Sequence, residues 1–86
     1  MEVAHIKERI KVRADFAPSG KVTPLLFKRG QMIYRIRRVN SIWEDRQQQG
    51  KLLYFSVLTD RSDDVFQLCY RHDDRSWWLE LVMMDG

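Results

Sequence analysis

Apolar and polar residues alternate with a period of two along most of this chain, which predicts β-strands rather than helices. From Ile6 to Phe16 the even positions read Ile6, Glu8, Ile10, Val12, Ala14 and Phe16, while the odd positions read Lys7, Arg9, Lys11, Arg13 and Asp15. That is a strand with one apolar and one basic face, broken only by Glu8. Val3, Ile6 and Ile10 also fit helical spacing, so residues 1–5 are read as helical or unordered. Ala17-Pro18-Ser19-Gly20 ends the strand.

After Thr23-Pro24, residues Leu25 to Lys28 form a short strand, and Arg29-Gly30 supplies a two-residue hairpin turn. The return strand runs from Gln31 to about Trp43, with Met32, Tyr34 and Ile36 on one face and Arg35 and Arg37 on the other. At Arg37-Arg38 the alternation slips by one, and a β-bulge there restores it and bends the strand. Glu44 to Gly50 is polar and reads as an exposed loop. Lys51 to Thr59 is almost continuously apolar, as in a strand covered on both faces. Asp60 to Asp63 is a turn, Val65 to Arg71 a strand, His72 to Ser76 a turn, and Trp77 to Met84 the last strand. In that strand Trp77, Leu79, Leu81 and Met83 oppose Trp78, Glu80, Val82 and Met84.

Five to six short strands joined by tight turns predict an all-β domain, an antiparallel meander. With 86 residues there is material for one modest core, so the sheet must curl into an SH3-like or partly open barrel. Shared parity assigns Phe27, Tyr34, Phe55, Phe66, Leu68, Trp77 and Leu79 to its interior, with Leu81 alongside. The last three strands are apolar on both faces, which a lone small barrel cannot bury. Either the amino-terminal segment packs over their outer face or a partner does.

Pro24, Phe27, Gly30, Tyr34, Ile36 and Trp43, then Tyr54-Phe55-x-Val57-x-Thr59, Phe66-x-Leu68-x-Tyr70, and Trp78 to Val82 make a spaced pattern. Over roughly residues 10–85 it resembles an uncharacterised bacterial family of small β domains. Members of that family stand alone or at the carboxyl end of catalytically inert Y-family DNA-polymerase-like proteins of mutagenic repair. The chain departs from the family pattern in having Lys28 and Arg29 where a Trp precedes the Gly30 position. The resemblance implies a β fold and a DNA-repair setting, and it brings no catalytic residues.

Charge sharpens the choice of partner. The net charge of +3 conceals a balance of +7 over residues 1–43 and −4 over residues 44–86, enough to give a small body two electrically different faces. Lys7, Arg9, Lys11 and Arg13 form one ladder, and Lys28, Arg35, Arg37 and Arg38 a second that merges with it if the strands are neighbours. Such a patch takes the phosphates of single-stranded nucleic acid; the plainer alternative is a solvated face that blocks edge pairing.

Tandem Trp77 and Trp78 must point to opposite faces of one strand. With Trp77 inside, Trp78 joins Trp43, Tyr54, Cys69 and Val82 in an outer cluster, either a protein-contact face or a second small core under the amino terminus. Cys69, His72, Asp73 and Asp74, with His5, are the only metal-like set, and structural zinc wants four ligands rich in Cys. Cys69 and His72 lie on opposite strand faces, and the Asp pairs sit in turns, so neither makes a nucleophile with its base. The single cysteine excludes an internal disulfide, and no apolar run reaches the ~20 residues of a membrane helix. The expectation is a cytoplasmic, non-enzymatic binding module without cofactor, metal or small-molecule substrate. It contacts a protein or a second copy through the outer face of the carboxyl-terminal strands; the alternative is a nucleic-acid accessory domain using the Lys/Arg face.

Overall fold

Each turn sequence ends a strand, and the strands between them are long. The computed structural model describes residues 2–47 and 50–84. Six strands follow one another: β1 (Glu2–Phe16), β2 (Val22–Arg29), β3 (Met32–Gln47), β4 (Gly50–Thr59), β5 (Val65–Arg71) and β6 (Ser76–Met84). All neighbours are antiparallel, and β1 closes the ring against β6. The all-β barrel expected from the period-two pattern is therefore what the chain forms.

The ring closes because two strands change partners halfway along. Residues Glu2 to Ile10 of β1 pair with β6, and Lys11 to Phe16 pair with β2. In β3, Met32 to Arg35 pair with β2, and Ile36 to Gln47 pair with β4. These are corner strands between a five-strand sheet and a three-strand sheet. The β3 corner has a register shift between Ile36 and Arg38, the bulge that the slipped alternation predicts. Arg37 is its extra residue, and its Nε donates to the Thr59 carbonyl at 2.8 Å while its guanidinium meets Asp63 at 3.0 Å. The turn after β4 is drawn over the same corner: Arg61 Nε donates to the Ile33 carbonyl at 2.7 Å and its guanidinium lies 5.3 Å from the Tyr34 ring centre.

The interior is aromatic. Phe27 stacks on Tyr34 at 4.8 Å and meets Phe66 edge-on at 5.4 Å; Trp77 lies 5.5 Å from Phe55 and 4.8 Å from Tyr70. Phe27, Phe55, Leu68 and Leu79 are fully buried, and every interior residue assigned by parity, Tyr34 included, belongs to this cluster or packs against it. Leu81 does not: it is only half-buried and lies outside the cluster.

Five expectations need correction. Val82 is core, 6% exposed, rather than part of the outer face. The cause is a bulge: Gln67 opposes Leu81 but Leu68 opposes Leu79, so Glu80 is an extra residue and parity reverses after it. Leu81 and Met83 consequently turn outward while Val82 and Met84 turn inward. Residues 44–47 are strand rather than loop, because pairing with Gly50 to Leu53 and a Lys51–Glu44 ion pair at 2.6 Å override their polarity. Gly50, the last residue of that expected loop, opens β4, and Gln48 and Gln49 lie outside the described residues. Residues 2–5 are neither helical nor a cover for the outer face, since they pair edge-to-edge with β6. The hairpin turn is Gly30-Gln31, one residue later than read, with Gly30 at φ +60 as a type II′ turn requires. Finally, β2 begins at Val22 and admits Pro24, which pairs with Ala14 beside a register shift.

Trp77→Ala should lose about 3–5 kcal/mol, most of the roughly 5–10 kcal/mol expected of so small a domain. Chemical denaturation followed by circular dichroism checks this; an unchanged midpoint would place Trp77 outside the core.

Candidate functional site

A closed barrel leaves alternate residues of each strand facing outward, and on the five-strand sheet these line up across strands. Trp43 opposes Tyr54, Tyr54 opposes Cys69, Cys69 opposes Trp78, and Trp78 opposes Arg9. Four of the five residues expected in a protein-contact face thus form one unbroken row, ending in a guanidinium. Val82, the fifth, is inside. A second apolar row runs parallel to it: Leu58, Val65, Met83 and Val3, with Arg38 at its β3 end. Parity without the Glu80 bulge hides Met83 and Leu81 from this face, and the four consecutive apolar residues after Glu80 carry no signal of the reversal.

The aromatic row is held in place by contacts within the chain. Trp43, 40% exposed, stacks on Tyr54 at 5.5 Å and 12°. The Arg71 guanidinium lies 4.8 Å from the Trp78 ring centre. Trp78 Nε1 donates to Ser76 Oγ at 2.9 Å, and Ser76 Oγ donates to Asp74 Oδ1 at 2.5 Å. That bond from Ser76 holds the Asp74 carboxyl below its usual range. The acidic turn therefore serves to orient an indole. The Asp is where turn chemistry puts it, and the hydroxyl relays its hold to the ring.

Cys69 sits between Tyr54 and Trp78 and is 1% exposed. Burial pushes its thiol up to about 11, the neighbouring Glu80 carboxylate adding to the effect and Arg71 opposing it. A thiol so protonated is a small apolar filler, not a nucleophile. His72 packs edge-on against Tyr70 at 4.9 Å. Among the described residues no three His, Cys, Asp or Glu side chains come together as metal ligands.

The basic residues divide between two places. The partner change of β1 splits the Lys7–Arg13 ladder, leaving Lys7 and Arg9 beside β6 and Lys11 and Arg13 beside β2. Lys7 is the bulge residue of β1, with φ +53. On the three-strand sheet Lys11 opposes Lys28, and Arg13 opposes Leu26, which opposes Arg35. The two ladders do merge there. Arg37 is already engaged by Thr59 and Asp63, and Arg38 lies farther along β3 opposite Leu58. Where β1 and the β2–β3 turn splay apart, a slot of about 600 Å³ opens, lined by Glu8, Arg9, Ile10, Lys11, Lys28, Arg29 and Gly30. Glu8, the one acid on the apolar face of β1, bridges to Arg29 Nε at 3.3 Å there.

A chromogenic thiol reagent at neutral pH should label native Cys69 far more slowly than the unfolded chain. The lost thiolate fraction alone gives about a hundredfold, with occlusion adding to it. Equal rates before and after denaturant would contradict the buried, protonated thiol. Comparison with protein-family models, curated proteins and solved structures finds no match, so the reading of these faces rests on their own geometry.

Proposed function

We propose that this domain is a non-catalytic protein-interaction module whose contact surface is the outer face of β3 to β6, and that a second copy of the chain is its first partner. The observation that supports the reading is the unbroken row Trp43, Tyr54, Cys69 and Trp78, with Leu58, Val65, Met83 and Val3 beside it. None of the six strands lies over this face, since all of them stand in the ring. Aromatics already stacked in the free protein lose little freedom on binding, and aromatic and Arg anchors dominate interface energetics. The row is also self-complementary. It begins at an exposed indole, Trp43, and ends at a guanidinium, Arg9. A two-fold axis parallel to the strands sets Trp43 of each copy against Arg9 of the other, a cation–π pair made twice.

Sedimentation equilibrium over a wide concentration range tests the reading. Wild type should dimerise, and Trp43→Glu should weaken the dimer by at least about 2 kcal/mol, some thirtyfold in Kd. Trp43 is outermost in the row, so the variant should keep its circular dichroism spectrum and melting temperature. Wild type that stays monomeric at the highest concentration would contradict self-association and leave the face to a different protein.

A further inference from the structure

The slot between β1 and the β2–β3 turn lies where β1 leaves the five-strand sheet, and its chemistry is one-sided. Four cations, Arg9, Lys11, Lys28 and Arg29, line it together with a single carboxylate, Glu8. That carboxylate is already spent on Arg29. Lys11 and Lys28 stand directly opposite one another across β1 and β2, an arrangement of like charges that costs stability unless something anionic lies between them. Neither forms an ion pair with any described residue. The lip is open as well: nothing stands within 4 Å of where a side chain on Gly30 would begin, so a ligand can approach the backbone there.

We propose that this slot grips the phosphates of single-stranded nucleic acid. Lys11, Lys28 and Arg29 take no part in the aromatic contact face, so this inference does not rest on that face; Arg9 alone is shared between the two. The cations do not stop at the slot. Arg9, Lys11 and Arg13 occupy alternate positions of β1, about 6.6 Å apart, and Arg35 stands two strands from Arg13 across Leu26. A lone small anion would use only the slot, whereas a polymer with one charge per nucleotide uses the whole track. Arg9, Arg13, Arg29 and Arg35 provide guanidinium forks that match phosphate oxygens. Ile33, directly opposite Lys28, and Met32, opposite Arg29, are both exposed at this end of the β2–β3 hairpin and offer apolar surface to sugars and bases. The Glu8–Arg29 pair is a built-in competitor. Glu8 engages Arg29 through Nε alone, at 3.3 Å, so the remaining guanidinium donors are left for a phosphate, with the charge of Glu8 as its competitor.

The test uses the full chain and a fluorescein-labelled single-stranded oligonucleotide, read by anisotropy. With about four phosphate contacts, binding should weaken roughly fiftyfold between about 50 and 200 mM salt, whatever the base sequence. Lys11→Glu with Lys28→Glu should reduce affinity more than tenfold, and an unchanged melting temperature shows that the fold is intact. Glu8→Gln, which removes the competing charge beside Arg29, should bind several-fold tighter, whereas Glu2→Gln at the far end of β1 should change binding little; equal gains from both would point to diffuse surface charge. An unlabelled oligonucleotide should displace the probe far better than polyglutamate. Wild type that fails to bind at the lower salt, binding untouched by the double substitution, or polyglutamate competing equally well would each overturn the proposal.

Discussion

The partner change of β1 at Ile10 and Lys11 is the constraint on which the rest of this barrel depends. Its first nine described residues complete the sheet of β6, β5, β4 and β3, and its last six begin the sheet of β2 and β3. Remove that change and the ring opens into a flat meander with two long unpaired edges, which natural sheets avoid. The same strand carries Ile6, Ile10, Val12 and Ala14 into the interior, so ring closure and core filling come from one alternation. Paired only on one edge at a time, β1 leaves a gap where the β2–β3 hairpin ends, and the basic slot is that gap.

Closure also separates the surface chemistries. The five-strand sheet presents aromatic and aliphatic rows outward, while the three-strand sheet presents Lys11, Arg13, Lys28 and Arg35. The acidic residues of the second half fall mostly in turns. There they brace the frame: Asp63 holds Arg37, Asp60 accepts from the Arg35 amide, and Asp74 holds Ser76. The strong charge segregation along the chain is thus partly spent on structure, which leaves fewer free cations than the sequence offers. Gly50 shows how tightly the far end is fitted. Its φ of +128 is one that other residues rarely adopt, and a side chain there would also have to displace the Asp73 carboxylate, whose Oδ1 would lie 2.6 Å away.

Much of this was legible in the sequence wherever alternation was uninterrupted. The inward set on β1, the interior position of Trp77 and the outward position of Trp78 all follow from parity alone. The Arg37 bulge was legible too, because apolar residues on both sides of it fix the phase. The Glu80 bulge was not: Leu81, Val82, Met83 and Met84 are all apolar, so either phase fits, and Val82 was misassigned. Polarity misled at residues 44–47, where a cross-strand ion pair and apolar partners on β4 carry the pairing. The slot was out of reach for a different reason. It arises from where a strand leaves one neighbour for another, and residue types do not record that.

Amide hydrogen exchange along β1 tests the closure most directly. Between Glu8 and Arg13 the strand has no extra residue, so its N–H groups point alternately to the two edges. Since the partner lies on one edge up to Ile10 and on the other from Lys11, the slowly exchanging amides should switch parity at that point, with both halves protected. Protection that keeps a single parity through residues 8–13, or is confined to one half, would mean that β1 has only one partner and that the ring does not close.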